Sequence, residues 1–300
     1  MPAEIRRAIE ERADEVGFPA LKSAASALSE AYREGRGAPK LEERARVAAY
    51  LVTRMPATYA ATYSVLEQLP PLEVASVLDV GSGTGAASLA ARHFFPHATF
   101  TMIERDRAFG EAAQTFVPGA ELRIDDARTA ALPRADLVIA AYSVGEFGAA
   151  VVKRLWDAAG VALVVVEPGT PRGFATIRSI RDELVAAGAR IAAPCPVETA
   201  CPVGEGDWCH FAARVERSSL HRRVKGGELG WEDEKFSYIA LAREDVGRAA
   251  ARVVRHPQHR PGLIELQVCG ADGLRTERVG KKERERFRAA RRRKWGERWE

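Results

Sequence analysis

The run Val77-Leu78-Asp79-Val80-Gly81-Ser82-Gly83-Thr84-Gly85 decides the fold. A short apolar stretch, Val77 to Val80, carries Asp79 inside it and leads straight into glycines at 81, 83 and 85. Ala86 to Ala91 follows at once and is rich in alanine, the best helix former. Strand, glycine turn and helix start in succession let a backbone approach a nucleotide-like ligand, because glycine accepts positive φ and has no Cβ. The spacing is G-x-G-x-G rather than G-x-G-x-x-G, so a dinucleotide pyrophosphate is the weaker reading. A glycine-rich turn in an ordinary α/β domain is the plain alternative.

The residues downstream favour a ligand site. Ala98 to Ile103 reads as a second strand and ends at Glu104. That acid lies about twenty residues past the glycines, where a carboxylate accepts ribose hydroxyls. A third strand, Glu121 to Ile124, ends at Asp125 and Asp126, the usual place for an acidic contact to adenine; a fourth, Ala135 to Ala141, ends at Tyr142. The glycine run resembles motif I of class I methyltransferases, which bind S-adenosylmethionine (SAM). The candidate cofactor contacts are Asp79, Gly81, Ser82, Gly83, Gly85, Glu104, Asp126 and Tyr142.

Four regions are expected along the 300 residues. Residues 1–70 keep a helical apolar period and form an N-terminal helical region, with a break from Gly35 to Pro39. Residues 71–193 alternate strands with helices, as a Rossmann-like SAM-binding core with a mostly parallel sheet does. Residues 194–235, rich in Cys, Pro, Gly and charge, form a metal-binding insertion, and residues 236–300 add final strands, a small β extension and a basic helix. Lys281 to Trp299 is expected to be that helix, with Phe287, Trp295 and Trp299 on one side. No run of about eighteen apolar residues is present, so no membrane span is expected. Met1 to Arg12 is charged and lacks an apolar signal core, which points to the cytoplasm.

Charge is mild in sum, +4, but uneven: residues 275–298 hold 12 Lys or Arg against 4 Glu. Such asymmetry points to an anionic partner, and basic plus aromatic groups suit phosphate contact and base stacking. The alternative is an amphipathic helix docking its aromatics on its own domain.

All four cysteines, Cys195, Cys201, Cys209 and Cys269, lie in the last 106 residues of the chain. Three fall within fifteen residues among prolines and glycines, which argues against a packed core segment. In a reducing compartment clustered thiols read as metal or redox chemistry. The C-x5-C-x7-C spacing lacks the C-x-x-C knuckles of zinc ribbons, and four thiolates on irregular loops suit a [4Fe–4S] cluster at least as well. Zinc stays open, with His210 or His221 as substitute ligands.

Five stretches occur here in one order: Arg54-Met55-Pro56-Ala57-Thr58-Tyr59, the glycine run, Glu167-Pro168-Gly169-Thr170, Asp207-Trp208-Cys209-His210-Phe211 and Glu232-Asp233-Glu234-Lys235-Phe236-Ser237-Tyr238. With the closing Lys294-Trp295-Gly296 they resemble the Rsm22 family, whose mitochondrial members are also called methyltransferase-like protein seventeen. The resemblance runs from about residue 45 to the end. It implies a class I SAM-dependent methyltransferase fold associated with the small ribosomal subunit, its rRNA and its assembly, and no DNA partner. It also implies that Cys195, Cys201, Cys209 and Cys269 hold a [4Fe–4S] cluster. Two functions follow as expectations: a SAM-dependent methyltransferase acting on small-subunit rRNA, or a non-catalytic rRNA-binding assembly factor that retains its SAM pocket. A radical SAM enzyme fits poorly, because the C-x3-C-x2-C spacing is missing.

Overall fold

The chain is described by a computed structural model covering residues 1–33, 41–148 and 150–300. The expected break from Gly35 to Pro39 lies outside the described residues. Four helices come first: α1 (Ala3–Val16), α2 (Phe18–Arg33), α3 (Glu43–Thr53) and α4 (Met55–Glu67). In α2, Leu21, Ala24, Ala25 and Leu28 are buried at the spacing of one helical face. The Glu42 carboxylate caps α3 by accepting from the Arg44 and Ala45 N–H groups at 3.0 and 2.6 Å. Pro56 sits in the first turn of α4 rather than ending α3, since its missing N–H falls where no intrahelical donor is needed.

Strands and helices then alternate through β1 (Ser76–Val80), α5 (Ala86–Phe94), β2 (Thr99–Glu104), α6 (Arg107–Phe116), β3 (Glu121–Ile124) and β4 (Ala135–Ala141). The series continues with α7 (Val144–Phe147), α8 (Ala150–Ala158), β5 (Ala159–Pro168), α9 (Pro171–Ala186) and β6 (Arg190–Ala193). Next come β7 (Phe211–Glu216), α10 (Ser219–Lys225) and β8 (Trp231–Ala242). Last are β9 (Ala251–Val253), β10 (Gln258–Arg260), β11 (Leu263–Gly270), β12 (Gly273–Gly280), α11 (Arg284–Arg292) and β13 (Arg298–Trp299).

Contacts divide the chain into two compact units that interleave in sequence. The first holds residues 1–64, 75–131 and 213–234. In it β1 pairs parallel with β2 and β2 parallel with β3, with Val80 opposite Ile103 and Glu104 opposite Ile124. Helix α3 packs against α1, α2 and α6.

The second unit holds residues 65–74, 132–212 and 235–300. Here β4 pairs parallel with β5, while β8 enters antiparallel between β5 and β6. Parallel strands, crossover helices and a glycine turn after β1 make this the Rossmann-like class I methyltransferase fold. A separate antiparallel sheet in the order β10-β11-β9-β13, with β12 on β11, follows it.

The C-terminal helix is shorter than its sequence suggests. It spans Arg284–Arg292; Gly296 then turns at φ 93° and the chain re-enters the sheet, with Trp299 opposite Ala251. Trp299 and Ala290 are buried against Val253, Leu266 and Val268, and Phe287 packs on the same cluster. An open strand edge and an apolar face outweigh helix propensity here. Trp295 leaves this group and sits edge-on to His210 and His256, with centroids 4.8 and 4.7 Å away.

Candidate functional site

The glycine turn of the first unit is held by its own backbone. Gly81 and Ser82 both donate to the Ile103 carbonyl, at 2.9 and 3.1 Å, and Gly85 donates to that of Ser82 at 2.8 Å. Gly81, Gly83 and Gly85 all have positive φ, 72°, 54° and 80°. At Gly85 a Cβ would stand 3.1 Å from Ala113 Cβ and Val117 Cγ2, so helix α5 can start there only without a side chain. At Gly83 a Cβ would meet only the Tyr50 hydroxyl, at 3.7 Å. Gly83 thus has room beside it where Gly85 has none.

Two carboxyl groups and two hydroxyls surround this turn. Asp79 is buried, and its Oδ2 accepts from the Ser88 N–H at 3.0 Å and Oγ–H at 2.7 Å. Asp79 Oδ1, Ser82 Oγ and Thr84 Oγ1 are buried without a partner among the described residues. Burial pushes the Asp79 carboxyl up to about 6, against the Ser88 hydrogen bonds, and the Glu104 charge adds to the rise. Glu104 accepts from the Gly83 N–H and the Asp106 N–H, both at 2.8 Å, and burial raises its carboxyl too. Among the described residues neither acid pairs with a basic side chain. A buried acid, a half-buried one and orphaned hydroxyls fit a cationic ligand rich in hydroxyl donors, as SAM is with its sulfonium and ribose.

The other two candidate contacts are Asp126 and Tyr142. Asp126 is gripped by Arg128, whose Nε donates to Oδ1 at 2.9 Å, and that guanidinium holds its carboxyl far below the usual range. Tyr142 belongs to the second unit, where its N–H donates to the Val166 carbonyl at 2.7 Å. It adopts φ 58°, a left-handed conformation that side chains rarely take. Nearby, Glu167 is buried at the end of β5 and accepts from the Gly145 N–H at 3.1 Å. Burial pushes its carboxyl up to about 7.

The second unit also contains a cavity of about 320 Å³ lined by all four cysteines. Cys195 and Cys201 stand on the loop after β6, Cys209 just before β7 and Cys269 on β11. Burial pushes the Cys269 thiol up to about 11 and Cys209 still further, and the neighbouring thiols add to both. The loop is pinned from several sides: the Arg181 guanidinium donates to the Val197 carbonyl at 3.0 Å, Trp208 Nε1 to that of Gly169 at 2.9 Å, and Ser237 Oγ to that of Cys209 at 2.7 Å. Neither histidine considered for zinc lines the cavity. His210 stacks on Trp208 at 5.3 Å, and His221 faces Glu232 at 3.3 Å in the first unit. Among the described residues no group of three or more His, Cys, Asp or Glu side chains stands as a metal-ion site.

Residues 44–300 match the family described as mitochondrial small ribosomal subunit Rsm22. The chain belongs to the Rsm22 family. It is similar to the human ribosome assembly protein METTL17, mitochondrial, at 26% identity over 288 residues, covering 83% of this chain and 61% of the relative. It is also similar to the Schizosaccharomyces pombe Rsm22-cox11 tandem protein 2, mitochondrial, at 24% identity, covering 84% of this chain and 43% of the relative. The chain therefore spans about three fifths and two fifths of the curated relatives it matches. Among solved structures it is similar to a SAM-dependent methyltransferase from Aquifex aeolicus (TM-score 0.43, 14% identity, 68% of this chain and 100% of that one). A second is the plantazolicin methyltransferase BpumL in complex with an analogue and SAH (TM-score 0.40, 9% identity, 76% of this chain and 98% of that one). These structural likenesses are distant and say nothing of activity.

Membership of the Rsm22 family corrects one expectation. The cytoplasmic assignment is overturned, because the family and the relatives just named are mitochondrial. The missing apolar signal core speaks only to secretion and does not separate one reducing compartment from another. Three groups also escaped the sequence reading of this Rsm22 chain: Thr84, hidden in plain view inside the glycine run, Glu167 at the end of an apolar strand, and the buried arginines that line the thiol cavity.

Proposed function

We propose that this chain is a SAM-binding, methyltransferase-like factor of ribosome assembly that acts on, or binds, small-subunit rRNA. The observation that carries the proposal is the set of orphaned polar atoms at the glycine turn, Asp79 Oδ1, Ser82 Oγ and Thr84 Oγ1, beside Glu104. Bound SAM would supply a methyl group already activated on sulfur. Glu104 would accept ribose hydroxyls, Asp79 would counter the positive charge, and the open side of Gly83 would admit the ligand. Tyr142 and Asp126 remain proposed contacts, and Glu167, with a carboxyl near 7, suits proton transfer at neutral pH. The names of the human and yeast relatives support a ribosomal setting. On α11, Arg284, Arg288, Arg291 and Arg292 are exposed, and the tail's charge supports an rRNA partner.

In the second unit Cys195, Cys201, Cys209 and Cys269 would hold a [4Fe–4S] cluster. Their shared cavity supports this over zinc: a zinc ion with bonds of about 2.3 Å to sulfur needs ligands closed tightly around one atom, whereas a cluster fills a wider space. The cluster's role would be to fix the loop between β6 and β7. A second reading, an assembly factor without catalysis, is favoured by the strand-four end, Tyr142-Ser143-Val144-Gly145-Glu146-Phe147. It carries neither an Asn-Pro-Pro-Tyr pattern nor a nucleophilic cysteine.

One comparison separates the two. Anaerobically purified wild type and Gly83→Arg are assayed for SAM binding and for radiolabelled methyl transfer to immature small subunits. The expected result is at least a hundredfold loss of SAM affinity in Gly83→Arg, with transfer in the wild type alone. Transfer that persists in the variant overturns the assignment of the loop. Binding to rRNA without any transfer selects the assembly factor.

A further inference from the structure

Arg252 is 1% exposed, yet no carboxylate pairs with it among the described residues. Its guanidinium donates to three neutral acceptors: the Pro194 carbonyl at 2.6 Å, Gln68 Oε1 at 2.8 Å and the Gly296 carbonyl at 2.8 Å. Of the other arginines lining the thiol cavity, Arg181 pairs with Asp182, Arg255 with Asp207 and Arg275 with Glu277, while Arg178, which donates to the Val203 carbonyl at 3.3 Å, is only half-buried. A buried cation without a counter-charge is unfavourable, and such groups are found where an anion belongs. Arg252 lines the cavity that holds the four cysteines, and Arg181 and Arg252 both act on the Cys195 thiol.

A second observation, independent of charge, points the same way. Tyr238 lines the same cavity, is 3% exposed, and its hydroxyl has no hydrogen-bond partner among the described residues. Arg181, whose side chain hydrogen-bonds Cys195, likewise keeps a buried Nε without a partner among the described residues. A buried O–H, a buried N–H and a buried unpaired cation all lack the same thing, a negatively charged hydrogen-bond acceptor.

We infer that Arg252 and Tyr238, with Arg181, form a built-in counter-charge and donor shell for the anionic group held by the four thiolates, and that this shell sets its reduction potential. The inference rests on the iron–sulfur reading above. Four thiolates give an all-cysteine [4Fe–4S] site a net negative charge, and a one-electron reduction adds one more. Arg252 and the Tyr238 hydroxyl favour the more negative state, so both raise the potential.

The test uses the full chain, loaded anaerobically with iron and sulfide, and compares wild type with Arg252→Lys, Arg252→Gln and Tyr238→Phe. Midpoint potentials are read by a dithionite titration with mediators, followed by the spectroscopic signal of the reduced cluster. Melting temperatures are read in the loaded and the metal-free chain. Arg252→Gln and Tyr238→Phe should lower the potential, whereas Arg252→Lys, which keeps the charge, should retain most of it. Tyr238→Phe removes a single oxygen atom and so keeps the fold. It should melt no lower than wild type without metal and lower than wild type with it. Unshifted potentials in both Arg252→Gln and Tyr238→Phe overturn the inference alone. So does an equal loss of melting temperature in the loaded and metal-free forms, the mark of a merely structural role. A chain that takes up no iron and sulfide overturns the iron–sulfur reading, and the inference with it.

Discussion

Around the glycine turn the unsatisfied groups are acids and hydroxyls; around the thiol cavity they are a guanidinium cation and hydrogen-bond donors. Among the described residues the buried Asp79 and the half-buried Glu104 pair with no basic side chain, and the buried Arg252 pairs with no carboxylate. A folded chain tolerates such groups where a ligand completes them, because an unpaired buried charge is far less stable than a paired one. The sign of the missing partner can thus be read from what is left over. The first centre fits a cation bearing hydroxyl donors, and the second fits an anion that accepts hydrogen bonds. A shared methyltransferase fold would not by itself have separated them.

The largest effect should come from breaking the second centre at a ligand. Cys209→Ser keeps the size of the side chain but removes a thiolate. If the cavity is only packed core, exchanging a buried thiol for a hydroxyl should cost roughly 1–2 kcal/mol. If Cys209 holds a cluster, the loss should exceed about 4 kcal/mol, the range reserved for lost metals and networks. Urea denaturation of anaerobically prepared protein, with iron content measured alongside, distinguishes the two. A loss near 1 kcal/mol with iron unchanged would remove Cys209 from the ligand set and the contrast between the centres with it.

The next effect lies in the first centre and follows pH. Unfolded aspartate titrates near about 3.9, whereas Asp79 in the folded chain titrates at about 6. Between those values the folded chain holds the extra proton. The contribution of Asp79 is therefore fully present below about pH 4, declines as pH rises, and beyond the folded value leaves a cost of about 3 kcal/mol. Asp79→Asn should be more stable than wild type at pH 8 by a few kcal/mol and closely matched to it at pH 4. Glu104 and Glu167 shift in the same direction, so the difference between wild type and variant is the quantity to measure. SAM affinity should rise with pH across the same window in the wild type and stay flat, and weaker, in the variant. Parallel stability curves for the two proteins would mean that Asp79 is not an uncompensated acid.

What the sequence revealed and what it hid follow from the range of the interactions. The glycine turn was legible because its requirements are local: alternate glycines, an acid inside β1, and a second acid where β2 ends. The gathering of four cysteines could be anticipated from three close spacings and one distant residue. The wall around them could not, because Arg252 arrives on β9 and Tyr238 on β8, and only strand pairing brings them to the cavity. The tail shows the opposite error. Basic and aromatic residues keep a helical period to Trp299, but Gly296 and the free edge of β9 turn the last residues into a strand. Tyr142 at positive φ left no mark in the sequence at all.

The smallest effect is also the most pointed comparison between the centres. Thr84 is 1% exposed, and among the described residues its hydroxyl lacks a partner, as does that of Tyr238 in the other unit. Thr84→Val replaces that hydroxyl with a methyl group of similar size. In the ligand-free chain this removes an unsatisfied polar atom, and stability should be unchanged or rise by up to about 1 kcal/mol. In the presence of saturating SAM the order should reverse, because the hydroxyl then has an acceptor to lose, and SAM affinity should fall by roughly tenfold for about 1.4 kcal/mol. A Thr84→Val chain that is less stable without ligand, and binds SAM as tightly as wild type, would place the threonine in ordinary packing. The polar rim of the glycine turn would then reduce to Asp79, Ser82 and Glu104.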